Sequence, residues 1–344
     1  MRLIYLIFFL CFFLHAGDPL DTLAKRESTQ EYYLKWAKIK QISEPILDTE
    51  NAFILVTNRD FYPDSSILMS DFLPKNASLK YILCQTKEDI FYLTFFPNLS
   101  LALNFLGTEK NFLTFVHGDG RTFTKIIENS KKIVQLYPVN LISFDYPSKK
   151  IDKNPIANYN LSKRNIIHSL THFHDFILDI QTWKEEKIKE NLDQIPKFSL
   201  MAHSLGGYLI AEYLKKYNAC FSKTPIFDNL ILLLVAVKHR KHDIWIKNSF
   251  AKENYVLFNE KDIVLKAAEL LYFTHFLGRG TGKNLDPKTH YVDITDPTSI
   301  YHTPYDKINL MKKRTQLFNL FTQLFDSQKP ELKNCSSHLY IIEK

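Results

Sequence analysis

Ala202-His203-Ser204-Leu205-Gly206-Gly207 stands between a strand-like run, Phe198 to Ala202, and a segment, Gly206 to Tyr217, whose Tyr208, Leu209, Ala211, Glu212 and Leu214 leave one helical face apolar. A serine on so sharp a strand-to-helix bend adopts a strained backbone, so the residues two before and two after it must be small. Here they are Ala202 and Gly206, alanine replacing the glycine usual at the first position. The bend also aims the Leu205 N–H at the serine oxygen from a helix N-terminus, where unpaired N–H groups and the helix dipole favour developing negative charge. Ser204 is therefore a candidate nucleophile, and Leu205 a candidate half of an oxyanion hole.

Outward from this bend, strand-like and helix-like stretches alternate from Asn111 onward, which predicts an α/β fold with a mostly parallel central sheet and helices on both faces. Phe112 to Val116, Val139 to Phe144, Phe198 to Ala202, the apolar run Leu230 to Val237, Tyr255 to Phe258 and Tyr291 to Ile294 are the expected strands. Thr124 to Leu136, Asn160 to Ile180, Gly206 to Tyr217 and Ile308 to Phe325 are the expected helices, the last closing the chain. Before them, Phe53 to Val56, Lys80 to Cys84 and Ile90 to Phe95 read as short strands. The expected organisation is a signal peptide at 1–17, an N-terminal lead-in with first strands at 18–107, and an α/β core at 108–344.

A serine hydroxyl needs a histidine base, and the histidine needs a carboxylate to fix its tautomer. In the order serine, acid, histidine, the acid is sought just past a later strand. Asp262, three residues beyond the strand Tyr255 to Phe258, is preferred over Asp243 and Glu260. For the base, His302 lies past the last strand, ahead of the final helix, whereas His290 begins that strand and His275 lies in a helical stretch. Gly118 and Asp119 directly follow the strand Phe112 to Val116, so the Asp119 N–H is the expected second oxyanion donor, with Gly118 supplying the bend.

The chain has 344 residues, 45% of them hydrophobic, and its net charge of +7 is spread among 37 acidic residues. That distribution excludes a nucleic-acid-binding block and leaves peripheral contact with anionic membranes open. Met1 and Arg2 precede an apolar run from Leu3 to Leu14, then His15, Ala16 and Gly17, the grammar of an export signal too short to span a bilayer. Export to the periplasm or medium is expected, with an uncleaved N-terminal anchor as the alternative. Cys84, Cys220 and Cys335 allow at most one disulfide in the mature chain. No cofactor or metal is expected. His168, His172, His174 and Asp175 lack the glutamate base of a zinc-protease motif, and Gly278-Arg279-Gly280-Thr281-Gly282 lacks a phosphate-loop ending and reads as a flexible loop near the site.

Val56-Thr57-Asn58-Arg59-Asp60, Phe115-Val116-His117-Gly118, Phe144-Asp145-Tyr146-Pro147-Ser148 and the serine bend together resemble an uncharacterised, esterase- and lipase-like branch of the α/β-hydrolase superfamily, over roughly residues 52 to 310. The resemblance implies the same triad, through Asn259 ahead of Asp262 and through His302 ahead of Pro304. It departs at Val235 to Lys241, where relatives often carry an alanine-proline-aspartate turn. The expected activity is cleavage of a carboxylic ester, small or lipid, through an acyl-enzyme on Ser204. The alternatives are an acyltransferase and a non-catalytic exported binding protein on the same scaffold.

Overall fold

A computed structural model describes residues 29–47, 51–63, 65–190, 194–217, 225–332, 334–336 and 339–342. The expected signal at 1–17 and Cys220 lie outside the described residues. Among those described, twelve strands form one sheet. Its centre runs β2 (Ala52–Thr57), β6 (Asn140–Asp145), β5 (Phe112–Val116), β7 (Phe198–His203), β8 (Phe227–Leu233), β9 (Ala251–Phe258) and β10 (Thr289–Asp293), all parallel. Every residue of β5 to β8 is buried, as their predominantly apolar sequences favour in strands covered on both faces.

The early strands join this sheet directly. β3 (Lys80–Lys87) pairs antiparallel with β2 and with β4 (Ile90–Phe96), and β1 (Ile39–Gln41) runs parallel to β4. At the other edge, β12 (Leu339–Ile341) lies parallel to β10 and antiparallel to β11 (Asn334–Ser336). The chain thus closes with strands and not with the expected helix, which is itself divided at Arg314 into α9 (Ile308–Lys313) and α10 (Thr315–Phe325).

Two groups of helices cover the sheet. In one, α1 (Thr29–Trp36) contacts α3 (Phe123–Leu136), which meets the turn Pro304–Asp306, while α10 lies on β7 and β8. In the other, α2 (Leu99–Leu106), α4 (Pro155–Lys189), α5 (Gly206–Lys216) and α6 (His242–Ile246) contact one another in series. Asn154 caps α4 and Pro155 opens it, a local start signal. The helix runs well past the expected end at Ile180, through the charged stretch to Lys189. The cause is tertiary: Trp183 is fully buried edge-on against Phe112 and Phe198, its indole N–H donating to Asn104 Oδ1 at 2.9 Å. Two further expectations are corrected. The apolar run Leu230 to Val237 leaves the sheet after Leu233, where Leu234 takes φ +48°, and His275 lies beyond the end of α7 (Ile263–Tyr272).

Candidate active site

The parallel strands all point their C-terminal ends one way, and the candidate residues follow β5, β7, β9 and β10 at that edge. The chain moves from β5 to β6 on one side and then to β7 on the other, so a crevice opens outside the ends of β5 and β7.

Ser204 follows β7 at φ +51° and is 8% exposed. Its N–H donates to Leu233 O at 3.1 Å, and its carbonyl accepts from Gly207 and Ala236 at 3.1 and 2.9 Å, so both neighbouring segments fix the bend. The demand for small residues is visible in distances. A Cβ on Gly206 would come within 2.6 Å of Val116 O, and one on Gly118 within 2.7 Å of Ser204 Cβ. Gly118 and the serine are thereby in direct apposition across the ends of β5 and β7. No side chain caps α5, which begins behind Leu205; the Gly207 N–H turns back to Ser204 O and the Tyr208 N–H to Leu205 O at 3.0 Å.

Asp262 is fully buried and divides its carboxylate between two tasks. Oδ1 accepts the N–H groups of Val264 and Leu265, both at 2.9 Å, capping α7, while Oδ2 lies 2.6 Å from His302 Nδ1. The His302 ring lies beside that of His203, the residue before the serine, with centroids 4.6 Å apart. The competing residues lie elsewhere. Asp243 sits in α6, and Glu260 is exposed. His290 bonds Glu253 at 2.9 Å, and the His275 side chain is 76% exposed.

Asn259 ties the loop of Asp262 to the loop of His302. Its amide donates to Ser299 O at 2.7 Å and Tyr301 O at 3.4 Å, while its Oδ1 accepts from Lys261 N–H at 2.9 Å. The Gly278 loop is a clasp for the same region. Gly278 O accepts the Asn259 N–H at 2.9 Å, and a Cβ on Gly278 would meet Leu234 C at 2.3 Å, so glycine is required where β8 exits. Val235, in the segment that departs from the family pattern, fills the space over Gly207, whose Cβ would lie 2.4 Å from Val235 Cγ1.

Sequence reasoning missed two supports. His203 Nε2 lies 2.8 Å from His302 O and must donate to it, since a carbonyl only accepts; burial, reinforced by the neighbouring His302, pushes the His203 pKa well below the usual histidine range. The second is a buried brace. Arg59, at the end of β2, forms a fork on Asp145 at the end of β6, Nε to Oδ2 at 2.7 Å and Nη2 to Oδ1 at 3.1 Å. It also donates to Ser70 O at 2.9 Å, and Asp145 Oδ1 lies 3.3 Å from His117 Nε2. Burial alone would raise the Asp145 pKa, but Arg59 and His117 hold it well below the ordinary carboxylate range. The two sequence signatures that carry the resemblance, around Arg59 and around Asp145, are therefore one physical unit, set against the turn His117-Gly118. A signal was present in the sequence: polar residues ending two otherwise apolar strands.

Asp119 presents its carboxylate to Ser162, and burial, outweighing that bond, pushes its pKa up to about 6. The histidines of α4 are engaged separately. His172 Nε2 lies 3.0 Å from Ala77 O, and His174 Nδ1 lies 3.1 Å from the Tyr213 hydroxyl.

Residues 103–272 match a family described as alpha/beta hydrolase of unknown function (DUF900). No curated protein matches the sequence. That stretch holds the strand β5, the Gly118 turn, the serine bend and Asp262, and the sheet around it is the large, mostly parallel one its sequence predicts. The chain has the α/β-hydrolase fold, and the matched stretch, just under half of its length, is similar to an uncharacterised branch of that superfamily.

Proposed function

We propose that the protein is a serine hydrolase that cleaves carboxylic esters through an acyl-enzyme on Ser204. The observation that carries this reading is the buried His302–Asp262 pair, 2.6 Å between Nδ1 and Oδ2, whose imidazole packs against His203, the residue before a serine held at φ +51° ahead of a helix without a side-chain cap. His302 Nε2 takes the Ser204 proton as Oγ attacks the ester carbonyl. The bond to Asp262 fixes the tautomer that leaves Nε2 free to accept, and steadies the cation that results. Negative charge growing on the carbonyl oxygen meets the N–H groups of Leu205 and Asp119. The same imidazole returns its proton to the departing alcohol, and a water activated by His302 then releases the acid. Gly118 makes room for this, since any side chain there would strike Ser204.

Reaction of the full chain with a fluorophosphonate probe tests the reading. Labelling is expected at Ser204 and should disappear in Ser204→Ala. Equal labelling of that variant, or an unreactive wild type that also leaves a panel of acyl esters untouched, would leave the non-catalytic alternative standing.

A further inference from the structure

α7 follows the candidate acid Asp262 with the sequence Ile263-Val264-Leu265-Lys266-Ala267-Ala268-Glu269-Leu270-Leu271-Tyr272, an apolar helix that the fold covers only in part. Of these ten residues only Leu265 and Glu269 are buried. Glu269 is accommodated by Arg279 Nη1 at 2.5 Å and by the Phe276 N–H at 2.7 Å, while Leu270 is 50% exposed. Phe273 then ends the helix at φ +48°, a left-handed position suited to glycine or asparagine, with 84% of its surface in water. Folding explains neither cost: the backbone is strained to hold a phenylalanine outward.

This apolar helix is continuous with the mouth of the site. Tyr272 stacks on Tyr159 of α4 with ring centroids 4.5 Å apart, and Lys163 lies over the Tyr159 and Tyr208 rings at 5.7 and 4.9 Å. Burial comes first, and the Asp119 carboxylate, held by Ser162, adds to it, in pushing both stacked tyrosine hydroxyls up. Ile156, one turn from Tyr159, is 50% exposed. The cations on this face are Lys163, over the Tyr159 ring, and Lys266, exposed on α7 itself, with Arg164 exposed next to Lys163 in the chain. Exposed apolar side chains beside Lys163 and Lys266 complement a bilayer of anionic phospholipid, whose headgroups meet the two lysines as its acyl region receives Leu270 and Phe273.

We propose that α7 and Phe273 form the surface by which the protein settles on an anionic bilayer; resting on the hydrolase reading above, this makes the substrate an ester presented by that lipid. Sedimentation of the full chain with phosphatidylcholine vesicles, with and without phosphatidylglycerol, tests it. Phe273→Asn and Leu270→Gln are the variants. The N-terminal apolar run is common to all three proteins, so any difference between them belongs to α7. Binding is expected to need phosphatidylglycerol and to weaken with salt. It should fall about tenfold in Phe273→Asn, the order expected when one phenylalanine no longer leaves water. The variant should melt no lower than wild type, because asparagine suits a left-handed turn, and hydrolysis of a soluble short-chain ester should be unchanged. Equal vesicle binding by the variants, binding indifferent to phosphatidylglycerol, a lower melting temperature in Phe273→Asn, or a dimer without lipid that the variants dissolve would each overturn the proposal. Vesicle binding lost in the variants by a protein that cleaves no soluble ester would retain the docking surface and remove the hydrolase reading.

Discussion

Asp262 shows how much one side chain carries at this site. Its two oxygens serve different masters, one the first turn of α7 and the other the imidazole of His302. Asparagine has one oxygen: kept on the helix cap, it leaves the amide NH2 facing His302, so the tautomer and the cation lose their support. Asp262→Asn is therefore expected to fold with nearly wild-type stability while ester turnover drops by about ten-thousand-fold. Asp262→Ala loses the cap as well and should lose about 1 kcal/mol more. Turnover and urea midpoints measured on both variants separate the two tasks. Turnover in Asp262→Asn near the wild-type rate would show that His302 works without this partner.

At the scale of elements, the strand ends are joined by charge and not only by the ladder. Arg59 leaves β2, grips Asp145 at the end of β6 and reaches Ser70 O in the loop beyond β2, all without solvent. Desolvating both ions is costly, and the fork geometry with its further carbonyl acceptor offsets that cost. Removing one partner leaves the other buried and alone. Arg59→Met is expected to lose about 3–5 kcal/mol by urea unfolding. Arg59→Lys, which keeps the charge but not the planar fork, should lose less and still slow fluorophosphonate labelling of Ser204, because Asp145 also faces the His117 turn that adjoins the serine. A wild-type urea midpoint in Arg59→Met would show the brace to be without weight. The same elements mark where sequence reading stops. The serine bend was legible because its constraint is local and steric, set by Ala202, Gly206 and their neighbours. The full length of α4 was not, because Trp183 is drawn in by Asn104, 79 residues away, and the end of β8 was not, because the apolar run continues through a turn shaped by Gly278. The residues of the Arg59 brace were quoted as signatures, yet only the sheet order, which sets β2 beside β6, brings them into contact.

Across the whole molecule, the sheet was legible from the alternation of segments, while its last two strands, three residues each, carried too little pattern to be read. The fold also gathers buried ionisable groups whose effects on stability oppose one another, and this sets a pH dependence that no single segment contains. Asp145, held low, and His203, held neutral, both favour the folded state more as pH rises, the first through the carboxylate range and the second toward 6.5. Asp119 acts in the other direction. Its pKa is raised by burial from 3.8 to about 6, so below 3.8 both states hold the proton, and above it the unfolded chain releases the proton first. The folded state thus loses this contribution steadily as pH rises from 3.8 to about 6, and is flat in it beyond. Asp119→Asn keeps the backbone N–H and the shape while removing the titration. The difference in unfolding midpoint, wild type minus variant, is expected to decrease between pH 3.8 and about 6 and then level off. Measured as a difference, it cancels Asp145, His203 and every other group common to the two proteins. A difference that stayed level across that interval, or rose, would mean that Asp119 is as free to ionise in the folded protein as in the unfolded chain.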